Sequence, residues 1–181
     1  ALLCVTEKIN SGISLEEVLD HAFHVLHAVI PYDRIGFSIL EKDDSVLRAF
    51  WARSNSPNIL LGKNYSAPMA GSSLQSILET KTPRILNDLP SYLARHPQSE
   101  STKLIVEEGM RSSLTCPLIA MAKPIGFIFF SSFQKDCYKD AHVEIFLQIA
   151  GNLSMIAEKS LVMARLRELN DFKNKFLGMA A

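Results

Sequence analysis

The alternation of apolar and polar positions divides the chain into helical and extended segments. Ser14 and Glu17 form the S-x-x-E pattern of a capping box, in which each side chain satisfies a free N–H group of a first helical turn. Apolar residues then recur at helical spacing until Pro31, which cannot continue a helix. The pattern therefore predicts a helix over 14–30, and the segment 2–10 before it is also predicted to be helical.

Two stretches with a period of two predict β-hairpins. In the first, apolar residues alternate over 35–39, and a polar turn at 41–44 leads into a returning strand at 46–52. The second hairpin covers 112–133, with a tight turn predicted at Lys123-Pro124.

The remaining segments complete an α+β domain. From Tyr138 onward almost nothing breaks a helix for about forty residues. Because hairpins dominate, the sheet is expected to be mainly antiparallel with helices on its faces. The other segments are predicted as a loop over 53–69, a short helix after Gly71, a strand over 83–86, irregular structure over 87–98 and a helix over 99–108.

Composition excludes several classes of protein. The 181 residues favour one domain, and 48% hydrophobic with 21% charged residues is the balance of a globular protein. The 19 basic and 19 acidic residues cancel, which argues against a nucleic-acid-binding surface. No apolar run approaches the roughly 20 residues that span a bilayer, so the chain is expected to make no membrane contact. Either it is cytoplasmic or any membrane segments of its parent protein lie outside it.

The cysteine and histidine patterns predict neither a disulfide framework nor a metal site. The cysteines are odd in number and lack CxxC spacing, which favours reduced thiols. Three histidines follow one another at intervals of three residues in the first helix. The outer two diverge around the helix, and no nearby acidic or Cys ligand completes a metal site. The residues are Cys4, Cys116 and Cys137, and His21, His24 and His27.

Three segments in order resemble the GAF domain, a small-molecule-sensing module of signalling proteins. They are Ser11–Leu19 (SGISLEEVL), Gly71–Leu89 (GSSLQSILETKTPRILNDL) and the segment from Gly109 to Phe127 with its Arg-Ser-Ser, Cys-Pro-Leu-Ile and Pro-Ile-Gly-Phe pieces. The resemblance covers residues 1–160. It implies a central antiparallel sheet of five or six strands, flanked by N- and C-terminal helices, with a long C-terminal signalling helix.

The tail carries a second resemblance. Asn170–Ala181 is similar to the start of the dimerisation and phosphoacceptor helix of bacterial sensor histidine kinases. This implies a kinase fragment in which 161–181 leads into a truncated dimerisation domain, with the kinase core as partner and no catalytic residues of its own. A seam at a/d spacing predicts a homodimer through the terminal helices. Its residues are Val162, Leu166, Leu169 and Phe176.

The GAF resemblance also implies a ligand site under a lid formed by the segment after the third predicted strand. Polar groups beside aromatic ones could orient a small ligand there, whereas the alternative is an ordinary surface loop. The ligand remains unidentified, because the cyclic-nucleotide signature of some GAF domains is incomplete at 131–136. The candidate ligand-binding residues are Asn87, Asp88, Tyr92, Arg95, Thr115 and Phe129.

These patterns favour a non-catalytic sensory domain that relays a signal through its terminal helices. An alternative from another class is an enzyme similar to free methionine sulfoxide reductase, which would use Cys116 as its reactive thiol. A third interpretation is a structural dimerisation module without a ligand. No cofactor is predicted beyond an unidentified small molecule.

Overall fold

One six-stranded antiparallel sheet forms the centre of the molecule. The structure is a computed structural model that describes residues 14–41, 43–63 and 65–179, so the helix predicted over 2–10 lies outside the described residues. The strand order is β3-β2-β1-β6-β5-β4. The predicted α+β architecture is confirmed. The strands are β1 (Arg34–Glu41), β2 (Val46–Ser54), β3 (Ser66–Pro68), β4 (Arg84–Leu86), β5 (Ser112–Ala120) and β6 (Lys123–Ser132).

Five α-helices surround this sheet in the described part of the chain. The capping box predicted at the first helix is present, since Ser14 N donates to the Glu17 carboxylate at 2.9 Å and Glu17 N donates to Ser14 Oγ at 3.3 Å. A 3-10 turn, Leu26–Ala28, extends that helix. The helices are α1 (Leu15–Val25), α2 (Leu74–Thr80), α3 (Leu89–Arg95), α4 (Glu100–Glu107) and α5 (Asp140–Met179).

Two of the predicted irregular segments contain regular structure. The prediction of irregular structure over 87–98 is wrong, because α3 forms there. Asp88 caps this helix by accepting a hydrogen bond from Ser91 N at 3.0 Å. Proline often interrupts a helix, but Pro90 lies in the first turn of α3. An N–H group in that turn has no partner within the helix, so its absence costs nothing. The loop predicted over 53–69 likewise contains β3, which pairs with the start of β2.

The turn of the second hairpin lies two residues earlier than predicted. Ala120 pairs with Lys123, so the two-residue loop is Met121 and Ala122, both with positive φ. Positive φ at both loop residues is typical of the type I′ turn, whose twist matches that of the two strands it connects. The prediction of a turn at Lys123-Pro124 is therefore wrong. Pro124 lies in β6 opposite Ile119, beside a register shift that accommodates its missing N–H group.

One face of the sheet is packed with apolar side chains under α1 and α5. The alternating residues Ile35, Phe37 and Ile39 of β1 belong to this core, together with Leu114, Cys116 and Leu118 of β5 and residues of both helices. A hydrogen bond also ties α5 to the sheet, because Ile119 N donates to Ser154 Oγ at 3.0 Å. The helix that leaves the domain is thus fixed to a central strand.

The second half of α5 extends beyond the globule. Phe146, Leu153 and Ile156 are buried, but the helix has no buried residue after Ala157. The four predicted seam residues are between 51% and 66% exposed. Within the described residues, no helix combines the length and apolar character needed to cross a membrane.

Candidate ligand-binding site

A cavity of about 650 Å³ lies against the other face of the sheet. Its remaining walls come from α3, α4 and the segment between β3 and α2. This volume is within the range of roughly 300–1,000 Å³ that small-molecule sites occupy. Core side chains therefore pack against one face of the sheet, and the other face borders the cavity.

The floor of the cavity consists largely of small and hydroxyl-bearing side chains. Along β5, Ser113 and Thr115 line the cavity, while the alternating residues Leu114 and Cys116 enter the core. Across the sheet, Ser113 lies opposite Ser131 of β6, and Ser131 lies opposite Arg34 of β1. The alternation of a strand thus directs polar groups into the cavity and apolar groups into the core.

The hydroxyl groups on the two faces of the sheet are bonded differently. On the core face, Ser112 Oγ donates to the Gln134 carbonyl at 2.6 Å, and Ser132 Oγ donates to Asp33 at 2.9 Å. On the cavity face, Ser113, Thr115 and Ser131 are at most 8% exposed, yet their hydroxyls form no hydrogen bond with any described residue. Because these hydroxyls border the cavity and have no partner in the described part of the chain, they are available to bond a polar group of a ligand.

Arg84 of β4 adds a positive charge to the cavity wall. Its Nη1 donates to the Ser73 carbonyl at 3.3 Å, and its guanidinium lies 5.8 Å from the centre of the Tyr92 ring. The Tyr92 hydroxyl also bonds to Ser73 Oγ at 3.1 Å. These contacts join β4, α3 and the segment before α2 around one guanidinium.

A buried ion pair closes another side of the cavity. Arg34 Nε donates to Glu108 Oε2 at 2.8 Å, with both side chains at most 2% exposed. Glu108 Oε1 accepts hydrogen bonds from the backbone N–H groups of Leu60 and Leu61, and Arg34 Nη2 donates to the Leu61 carbonyl at 2.6 Å. Burial lowers the pKa of Arg34, and its interaction with Glu108 opposes that effect. The pair therefore fixes the loop between β2 and β3 to the sheet.

Sequence comparison identifies the family. The model of the GAF domain family matches residues 12–158. The chain belongs to the GAF domain family. None of the curated proteins matches this GAF domain.

Solved structures with the same fold include sensory and regulatory proteins. The GAF domain of a two-component sensor histidine kinase from Bacillus halodurans has a TM-score of 0.68 at 16% identity, covering 83% of this chain and 98% of that one. The phycocyanobilin-bound GAF domain of a cyanobacterial phytochrome has a TM-score of 0.68 at 13% identity, covering 90% and 94%. The GAF domain of a phosphoenolpyruvate-protein phosphotransferase from Acinetobacter has a TM-score of 0.65 at 15% identity, covering 91% and 94%. At these identities the likeness concerns the fold.

Four of the six predicted ligand-binding residues of this GAF domain line the cavity. Tyr92 and Arg95 project from α3, while Thr115 and Phe129 lie side by side on β5 and β6. Tyr92 stacks on His96 at 4.2 Å between ring centres, which holds its ring at the cavity wall. Their role in binding stays a prediction.

Asn87 and Asp88 do not line the cavity and have structural partners instead. The Asn87 side chain bonds to the backbone of Tyr138, just before α5. Asp88 caps α3 and accepts a hydrogen bond from Lys135 Nζ at 2.7 Å. These contacts lower the pKa of Asp88 to about 2, with the Lys135 bond as the largest cause. Both residues therefore join the cavity wall to the segment that precedes α5.

Cys116 is in the wrong place for chemistry in the cavity. Its side chain is 0% exposed and belongs to the core under the helices. Burial raises the pKa of its thiol well above the ordinary value, so the reactive thiolate is disfavoured. Among the described residues, no group of three His, Cys, Asp or Glu side chains could hold a metal ion.

Sequence reasoning missed several polar residues of the cavity. Arg84, Ser113 and Ser131 all line it but were not predicted as ligand contacts. Ser113 could have been predicted as a cavity residue from the sequence. It alternates with Leu114 in the same strand as Thr115, which was predicted to bind the ligand. Arg84 gives a weaker signal, since a single charged residue in a short edge strand is usually solvated.

Proposed function

We propose that this GAF domain is a sensory module that binds a small molecule in the cavity between the sheet and α3. The observation that carries the proposal is a cavity of about 650 Å³ whose floor presents the hydroxyl groups of Ser113, Thr115 and Ser131, which have no hydrogen-bond partner among the described residues. Each of these hydroxyls can donate a hydrogen bond to, or accept one from, a polar group of a ligand inside the cavity.

The contacts of Asn87 and Asp88 supply a route from the cavity to the C-terminal helix. Leu86, Leu89 and Tyr92 line the cavity, and Asn87 and Asp88 lie between them in the chain. These two residues bond to Tyr138 and Lys135, which precede α5. A ligand that favours one position of α3 would therefore also favour one position of the start of α5, as a population shift requires.

The parent protein in this proposal is a bacterial two-component histidine kinase. The resemblance of the tail to a phosphoacceptor helix and the similarity to the Bacillus halodurans kinase domain support it. Residues 1–160 would form the cytoplasmic sensor, and 161–181 would lead into the dimerisation domain. The exposed residues Val162, Leu166, Leu169 and Phe176 would form the homodimer seam, since large apolar side chains at a/d spacing are buried in coiled coils.

Native mass spectrometry of the purified protein tests ligand binding directly. We expect a small molecule to be retained under native conditions and released on denaturation. Ala49→Phe places a large side chain in the cavity and should abolish retention, while Ala164→Phe adds the same bulk on the exposed part of α5 and should not. Equal retention by both variants would contradict binding in this cavity. A wild-type protein that retains no molecule and is not stabilised by any member of a metabolite library would favour the structural dimerisation module.

The enzymatic alternative is disfavoured by the position of Cys116. A sulfoxide reductase needs a thiolate that reaches its substrate, whereas this thiol is enclosed in the core. The fragment is accordingly proposed to be non-catalytic.

A further inference from the structure

Arg84 is partly buried at the cavity wall, and no described carboxylate neutralises its charge. The ion pairs of the described residues involve Arg34, Arg48, Arg53, Lys63 and Lys135, but not Arg84. Its guanidinium is held by the Ser73 carbonyl and the Tyr92 ring, and its Nε is buried without a hydrogen-bond partner among the described residues.

The surroundings of Arg84 do not supply the missing negative charge. Burial lowers the pKa of Arg84, with an opposing interaction from Tyr92 and none from a carboxylate. An arginine remains charged at neutral pH even when its pKa falls, because its ordinary value is far above 7. Removing even part of a charged group from water costs free energy, and an anionic partner offsets that cost.

The balance of charge around the cavity points the same way. Its charged lining residues are Arg34, Arg84, Arg95 and Glu100. Glu108 neutralises Arg34, which leaves the partly buried Arg84 and the exposed Arg95 against the exposed Glu100. A carboxylate or phosphate group entering the cavity would therefore meet excess positive charge.

Arg84 is also adjacent to the hydroxyl floor. It pairs with Thr115 across β4 and β5, and Thr115 pairs with Phe129 of β6. One row across the sheet thus offers a guanidinium, a hydroxyl group and an aromatic ring. A molecule that carries an anionic group on an apolar body would match all three.

We propose that the ligand of this cavity is a small organic anion whose carboxylate or phosphate group binds Arg84, with a polar atom of the same molecule on Thr115. This inference rests on the proposed function, because it names the chemical class of the molecule that the sensory cavity binds. The aromatic and apolar walls would contact the body of the ligand.

A set of matched small molecules tests the inference. Aromatic and aliphatic carboxylates, each paired with its neutral amide, and phosphate monoesters, each paired with its alcohol, are added to the isotope-labelled protein. Amide chemical shifts of cavity residues then give the affinity of each member. We expect the anionic members to bind about ten- to a hundredfold more tightly than their neutral partners, the range for a hydrogen bond to a charged group. Comparing the two series shows whether a carboxylate or a phosphate is preferred.

Substitutions of Arg84 assign the effect to this residue. Arg84→Gln should remove the preference for the anionic member of each pair, and Arg84→Lys should retain part of it because the charge remains. Arg167→Gln removes the same charge from the exposed part of α5 and should change nothing. Spectra of the free variants establish that each retains the fold.

The outcomes separate this inference from the proposed function. Equal binding of anionic and neutral members to the wild type would overturn the anionic class while leaving small-molecule binding intact. An anionic preference that persists in Arg84→Gln would also overturn the assignment. If no member binds the cavity, the inference fails, and native mass spectrometry then decides independently whether any ligand is bound.

Discussion

The side-chain amide of Asn87 forms two hydrogen bonds with the backbone of Tyr138. Asn87 Nδ2 donates to the Tyr138 carbonyl at 2.9 Å, and Tyr138 N donates to Asn87 Oδ1 at 3.1 Å. A third bond runs from Asp136 N to the Asn87 carbonyl at 3.0 Å. The chain between β4 and α3 is thereby attached to the chain that begins α5.

Asn87→Asp is expected to weaken this attachment without unfolding the domain. The carboxylate can still accept from Tyr138 N, but it loses the donor and places negative charge beside the Tyr138 carbonyl. The loss should be about 0.5–1.5 kcal/mol, the net contribution of a typical hydrogen bond, because this bond is only partly buried. Hydrogen exchange at the Tyr138 amide should accelerate, while exchange in β1 and β6 should not. Asn152→Asp, exposed on α5, is the matched control, and equal exchange in both variants would argue against the attachment.

The exposed seam on α5 predicts a dimer that two charges can disrupt. Leu166 and Leu169 are 55% and 60% exposed in the single chain, so replacing both with Glu should cost the monomer little. In a dimer, each buried Leu contributes about 1.5–3 kcal/mol, and each Glu would bring an unpaired charge into the seam. Light scattering over a concentration series should show a shift to monomer, with circular dichroism unchanged.

The control for the dimer places the same two charges on the outer surface of the helix. Ala164→Glu with Asn174→Glu should leave the association constant nearly unchanged, because these exposed positions lie on the side of the helix away from the seam. A wild-type protein that stays monomeric at every concentration would contradict the prediction. A dimer that survives the Leu166 and Leu169 changes would place the interface elsewhere.

Cys116 is expected to behave as a packing residue. Cys116→Ala should lower the free energy of unfolding by about 1–2 kcal/mol through lost contacts. In the native wild type, a thiol reagent at pH 8 should modify the partly exposed Cys137 and leave Cys116 unmodified until the protein is denatured. Rapid native modification of Cys116, or reduction of methionine sulfoxide that Cys116→Ala abolishes, would support the enzymatic alternative.

Burial of Tyr32 predicts a loss of stability at alkaline pH. Its hydroxyl bonds to the Phe23 carbonyl, and burial raises its pKa to about 12. Because the unfolded residue ionises near pH 10, the unfolded state releases its proton first, and stability falls between about pH 10 and pH 12. The expected loss is about 2 kcal/mol over this window. Burial raises the pKa of Tyr138 as well, so Tyr138 should add to the loss.

Urea unfolding at pH 8 and at pH 11 measures this effect. Tyr32→Phe removes the ionisable group and should show a smaller difference in unfolding free energy between the two pH values than the wild type. Tyr92→Phe is the control, because Tyr92 is a tyrosine on the cavity wall rather than in the core. An unchanged difference in Tyr32→Phe would contradict the burial argument.

Local patterns predicted the elements, but contacts between distant residues determine the site. The capping box at Ser14 spans three residues and was readable, as was the alternation that places Thr115 on a strand. Asn87 was predicted as a ligand contact because it lies in the segment that resembles the GAF lid, and its bond to Tyr138, 51 positions away, has no local signature. The pair of Arg34 and Glu108, separated by 74 positions, has no local signature either.

Helix α3 was missed for a related reason. Pro90 usually signals an interruption, and only the observed cap at Asp88 shows that it stands in a first turn. Tyr92 and Arg95 were nevertheless selected, because the GAF resemblance identified their segment as the lid. The resemblance placed the segment correctly, whereas residue patterns alone could not give its conformation.

The two faces of the sheet allow recognition and folding to change separately during evolution. Substitutions of Ser113, Thr115 or Ser131 change the polar groups that line the cavity, which lies on the opposite face of the sheet from the core under α1 and α5. Leu114 and Cys116, one position away, carry the packing instead. Substitutions at alternate positions of one strand can therefore change the cavity and leave in place the core that supports the C-terminal helix.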